Sequence, residues 1–254
     1  PLIEDAAVDK VQRHVADDIA GTALGHLESG LIEAHARDEA GHEGVAGHDR
    51  MWFAARDIAF EHPVSEDQTA LMLERLGVKR PGAAKVDLAE LRRVAEANRK
   101  LSPDIAFEVE SLLERMCSLL LIEVTAFHLF AWAEELLADT DLVAGDGAAA
   151  RIVSHIRADE TPHVGYLVTA LSELQARSLR GASGRSYDGA EVVAAIWDPA
   201  VEAQRGVRRA ETLELTRREV ERAVLERTGS RDLLEEFDAL ADPTDPEVRS
   251  DRPA

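Results

Sequence analysis

Nearly every segment of the chain repeats its apolar residues three or four positions apart, and runs that alternate like a half-buried strand are scarce. A chain patterned this way has one economical solution, an all-α fold. The periodicity predicts a first helix over residues 3–20, with Val8, Val11, Val15 and Ile19 as its stripe, and a second over residues 31–61, stopped by His62-Pro63. Gly41, Gly44 and Gly47 punctuate that second helix. Ser65 is expected to cap a helix reaching residue 76, and residues 86–100 form another. Ser102-Pro103-Asp104 opens a long helix to residue 137, and an Asp- and Gly-rich loop turns into a helix over residues 148–179. After a glycine-rich connection at 181–189, residues 190–228 are helical with a break at Asp198-Pro199. The expected organisation is a helical bundle over residues 1–180, with inserted helices at about 65–100, then further helices over 181–240 packed on it. A polar, Pro-containing tail over 241–254 is expected to be flexible.

Charge narrows the partners. The 254 residues carry 49 acidic and 29 basic side chains, a net charge of −20, with no cluster of Lys and Arg. Such a surface repels a phosphate backbone or an anionic membrane, so no nucleic-acid or membrane partner is expected. The single cysteine, Cys117, excludes an intrachain disulfide and fits a reducing compartment. The longest apolar run, residues 117–133, is interrupted by Glu123 and His128, and a cytoplasmic protein is the expectation. The Met51-Trp52-Phe53 cluster and Phe127, Phe130 and Trp132 are expected to fill the bundle and line an apolar pocket.

Two segments share one pattern: Asp38-Glu39-Ala40-Gly41-His42 and Asp159-Glu160-Thr161-Pro162-His163. Positions three apart share a helix face, so each segment sets a carboxylate beside an imidazole, as a metal ion requires. Glu123 is the third element. It stands inside Leu119-Leu120-Leu121-Ile122-Glu123-Val124, where a carboxylate is costly unless protonated, paired or bound to a metal. Antiparallel helices about a loop near residue 142 would bring Glu123 level with Glu160. The same symmetry applied backwards from Glu39 points to Glu4, with Asp9 in reserve. His35 lies one turn before Glu39 on the same stripe and is a further histidine donor to consider. His128 is expected to be a core histidine or a neighbour of the site.

On Glu39-x-x-His42, Glu123 and Glu160-x-x-His163, residues 4–171 resemble the ferritin-like di-iron carboxylate superfamily. That superfamily includes bacterial multicomponent hydroxylases, ribonucleotide reductase small subunits, acyl-carrier desaturases and arylamine N-oxygenases. The resemblance implies a four-helix bundle core and a site for two iron ions, manganese being the alternative. Its metal ligands would be Glu4, Glu39, His42, Glu123, Glu160 and His163, with His35 added as in the N-oxygenases, and Glu39, Glu123 and Glu160 would be catalytic. Asp38 and Asp159 would accept hydrogen bonds from ligand histidines and fix their tautomers. The implied activity is that of a non-haem di-iron oxidoreductase, a monooxygenase or oxidase. It would use O2 to hydroxylate, N-oxygenate or desaturate a small organic substrate with electrons from an unidentified donor. A ferritin-like iron-handling or peroxide-protection protein is the alternative, and a homodimer is compatible with either. In the reductase subunits a nearby tyrosine stores a radical, and Tyr166 lies one turn beyond His163. Pro162, within the second motif, is expected to bend its helix.

Overall fold

The structure, a computed structural model, describes residues 11–75 and 88–241. It is all-α, and among the described residues strand is confined to two short antiparallel hairpins. Two compact units divide the chain, one ending at Glu202 and the other beginning at Ala203. Glu4 and Asp9 lie outside the described residues, as do 76–87 and the 242–254 tail.

In the first unit, α1 (Ala23–His26) runs through a π-helical turn (Leu27–Leu31) into α2 (Ile32–Ala40). The Ile32 amide donates to the Leu27 carbonyl, the wide spacing that defines the turn. A hairpin of β1 (Gly41–His42) and β2 (Val45–Ala46) leads to α3 (His48–Ala59), followed by α4 (Glu66–Arg75) and α5 (Leu88–Ala97). Ser65 caps α4 as its sequence suggests. Its Oγ accepts from Gln68 N, while Gln68 Oε1 accepts from Ser65 N.

Two long helices, α6 (Phe107–Ala138) and α7 (Ala148–Gln175), carry most of the packing. Their pairing is antiparallel: Ala133 and Leu137 share a cluster with Ala149, Ala150 and Val153 near the connecting loop. At the far end Val109, Leu113 and Met116 share another with Leu167, Leu171 and Leu174. Helices α1 and α3 pack against α7. After α7, β3 (Ser178–Arg180) pairs with β4 (Ser186–Asp188), and α8 (Gly189–Arg205) packs Val192, Val193 and Ile196 into the larger cluster.

Four sequence expectations are corrected here. The described part of the first predicted helix is irregular from Arg13 to Thr22, because its backbone pairs with β3: Arg180 N donates to His14 O and Ala16 N to Ser178 O. Val11, Val15 and Ile19 are buried nonetheless. Ser102-Pro103-Asp104 precedes α6 without joining it, since Asp104 accepts from Ser183 and Tyr187 and so ties the second hairpin down. Pro199 lies inside α8, which runs on to Arg205 and does not break at Asp198. The apolar helix expected to be enclosed has an open face, with Ile122 61%, Leu129 54% and Trp132 60% exposed. In length and composition α6 could cross a bilayer, but here its other face packs on α7.

Residue Glu110, 2% exposed, joins α5 to α6. It accepts from Arg99 Nε at 2.6 Å and from the amides of Lys100 and Leu101. In the second unit, α9 (Val207–Thr228) and α10 (Asp232–Ala241) are tied by two Arg217–Asp238 bonds of 2.6 Å.

Removing the Glu110 carboxylate strands one cation and two amides. Glu110→Ala is expected to lower stability by about 2–4 kcal/mol. Chemical unfolding checks this, with Arg217→Ala, whose bonds are exposed, expected to cost under about 1 kcal/mol.

Candidate metal centre

The site forms where α2, α3, α6 and α7 bring histidines and carboxylates together. His35 and Glu39 are one turn apart on α2, and Glu123 lies midway along α6. Glu160 and His163 face the same way on α7, and His48 is the first residue of α3. Two donor groups share Glu39: one of His35, Glu39, Glu123 and His163, the other of Glu39, His48 and Glu160. Within each group the donor atoms lie within 4.8 Å of one another.

The histidines hold the cluster together. His48 Nδ1 is 2.9 Å from Glu39 and 3.3 Å from Glu160, while His163 Nδ1 is 3.1 Å from Glu160. His35 Nε2 is 3.2 Å from Glu123. The rings of His35 and His163 stack at 3.7 Å with 10° between their planes. Each ring also has an outward nitrogen that is held. Asp38 meets His163 Nε2 at 3.2 Å, Asp159 meets His48 Nε2 at 3.5 Å, and Tyr166 Oη lies 2.9 Å from His35 Nδ1. The Asp beside each Glu thus reaches across to the histidine of another helix.

Electrostatics follow from burial. Glu123 and Glu160 are 4% and 2% exposed and hydrogen-bond to each other. Burial raises the Glu123 pKa and the Glu160 contact adds to the rise, although His35 opposes it. Burial also acts to raise that of Glu160, but hydrogen bonds from His163, His48 and Glu123 outweigh it and hold the carboxyl well below its ordinary range. Of the two, Glu123 is the one that takes up a proton first as pH falls. Burial disfavours charge on His48, yet Glu160 and Glu39 overcome it and raise the pKa to about 10. His163 is raised in the same way by Glu160 and Asp38.

The sequence-predicted residues divide clearly. Glu39, Glu123, Glu160, His163 and His35 come together, with Asp38 and Asp159 at the edge. His42 does not join them. It lies on β1, its side chain 49% exposed, with Nε2 3.3 Å from Glu43. Helix α2 ends before it because Gly41 adopts φ +79°, and Glu43 and Gly44 have φ +49° and +88°, the two left-handed residues of a tight hairpin turn. The chain doubles back and brings in His48 where the helix would have supplied His42. The signal was present in Gly41, Gly44 and Gly47, since glycines three apart break a helix more readily than they decorate one. His128 is exposed beside Phe127 and lies in no core. Trp132 faces outward, whereas Trp52 and Phe130 meet at 5.1 Å and pack against the smaller apolar cluster. Pro162 sits inside a continuous α7.

The donor set fits a divalent ion of the carboxylate–imidazole class. Its members are nitrogen and oxygen with no thiolate, and the buried carboxylates take histidines as their ionic partners. Comparison with protein-family models, curated proteins and solved structures returns no match to the chain. The superfamily resemblance therefore rests on these residues alone.

In the metal-free protein, His48, His163 and Glu123 all have pKa values raised by folding, so the stability they add is full at low pH and lost as pH rises through their folded values. Glu160, held low, adds stability above its ordinary value that is lost in acid. Chelator-treated protein should accordingly melt at a higher temperature near about pH 6 than near about pH 9, and a flat profile would contradict the arrangement.

Proposed function

We propose that the protein is a di-metal oxidoreductase that binds two iron ions, with manganese as the alternative, and uses O2 to oxidise a small organic substrate. The observation that carries this reading is the shared Glu39 between two groups of nitrogen and oxygen donors, with an outward partner on every inward imidazole. Histidines that only stabilise a core have no need of such paired anchoring, whereas metal-ligating histidines are commonly held this way.

When bound, two such ions would supply the electrons and the open coordination positions for O2 reduction. The chain's own residues do the rest. Glu39, common to both donor groups, would serve both positions. His35, Glu123 and His163 would complete one position, and His48 and Glu160 the other. With a metal bound, Asp38 and Asp159 would hold the protons on the outward nitrogens of His163 and His48 and leave the inward lone pairs to the ion. Trp52 and Phe130 form an apolar wall one to two turns along α3 and α6 from His48 and Glu123, and would exclude water from a reacting substrate.

One observation favours an iron-handling role without an organic substrate. Asp38, Glu39 and Asp159 are 47%, 44% and 51% exposed and give cations an acidic approach from solvent. Counting O2 consumed per iron over repeated additions separates the two roles, because an oxidase turns over and a store saturates.

Anaerobic Fe(II) titration should reach about two ions per chain, followed by a transient visible absorption on admitting O2. Glu123→Ala, His163→Ala and His48→Ala should each lose at least one ion with helix content largely kept. His42→Ala should bind as the parent does. Full occupancy in the first three variants would return the cluster to a purely structural role.

A further inference from the structure

Of the three inward histidines, two have carboxylates on their outward nitrogens. An ionised carboxylate only accepts hydrogen bonds, so Asp38 and Asp159 alone suffice to fix the tautomers of His163 and His48. Both are about half exposed, and water can take their place. His35 is different. It is 5% exposed, and its outward Nδ1 meets the hydroxyl of Tyr166, which packs against the buried apolar cluster with its ring edge-on to the imidazole. Burial also raises the Tyr166 pKa and keeps the hydroxyl neutral.

We infer that Tyr166 is a positioning residue for the metal centre: its hydroxyl holds the outward Nδ1 edge of His35 and so aims Nε2 inward, accepting the Nδ1 proton when Nε2 binds a metal. This rests on the metal-binding reading above. The geometry leaves His35 little choice of orientation. Its ring is stacked 3.7 Å from that of His163, so it can turn only within its own plane, and within that plane the Tyr166 hydroxyl at 2.9 Å and Glu123 at 3.2 Å define the two ends. Without the hydroxyl nothing holds the outward edge of the ring, which is free to turn in its own plane and carry Nε2 away from the metal position. The position built from His35, Glu39, Glu123 and His163 would then lose a ligand while the one built on His48 and Glu160 kept all of its own.

Cobalt(II) reports on this through its visible spectrum and through competition with a chromophoric chelator. Tyr166→Phe keeps the ring and removes only the oxygen. It should weaken one of two cobalt positions by about 10–100-fold and leave the other unchanged. In a His35→Ala background the same substitution should add no further loss, because Tyr166 acts through His35. Parent-like binding by Tyr166→Phe, or a loss that adds in full to that of His35→Ala, overturns the inference and leaves the metal site standing. A parent protein that binds no cobalt overturns the metal-binding reading itself. The unsubstituted protein provides a check independent of variant folding. In its zinc(II)-loaded form, long-range nitrogen–proton NMR should find the His35 proton on Nδ1, and a proton on Nε2 would refute the assignment.

Discussion

Two carboxyl groups facing each other in the middle of a helix pair set the terms for the rest of the molecule. Glu123 and Glu160 are nearly inaccessible and in mutual contact, an arrangement that would repel if both were charged and unaccompanied. Three imidazoles relieve it, with Glu123 the carboxyl that gives up its proton less readily. The imidazoles come from α2, α3 and α7, so the helices must meet at that level. The clusters above and below, on Leu113 and Leu167 at one end and Ala133 and Ala149 at the other, hold α6 and α7 in the register this requires.

The parts of this plan legible in the sequence were those governed by helical spacing over long uninterrupted stretches. Glu123 in an apolar run, and its level with Glu160 across a single loop, follow from counting residues, and the structure brings the two together. That Asp38 and Asp159 meet histidines was implied by the superfamily resemblance, and the structure adds that those histidines belong to other helices. What failed was local. The Glu39-x-x-His42 spacing is real in the sequence but meaningless in space, because Gly41 ends the helix before the second residue of the motif can reach its face. His48 carried no motif of its own. The stripe of Val11, Val15 and Ile19 was read as one helix, and these side chains are buried instead through an irregular segment that is tied to β3 around Val15. Periodicity recognises which residues go inside, and backbone pairing with a distant strand leaves no trace in it.

Exposure divides the cluster as distinctly as chemistry does. His35, Glu123 and His163 sit where solvent does not reach, with Tyr166 behind them. Glu39, Asp38 and Asp159 stand at the edge, about half open. A site built this way has a fixed inner wall and a wet outer one, and exchange with solvent can proceed at the outer wall without loosening α6 or α7.

The hairpin between α2 and α3 is closed by backbone alone. A side-chain carbon on Gly41 would stand 2.5 Å from the Gly47 amide nitrogen, and one on Gly47 the same distance from the Glu39 carbonyl. The separation of Glu39 from His48 is therefore fixed at the base of the loop, where no side chain could fit, and its tip at 42–45 is open to solvent and takes no part in it. A lengthened or wholly different tip could be carried on the same base with both donors in place. Related chains could then present this pair at several sequence spacings, beyond the reach of any fixed-interval motif.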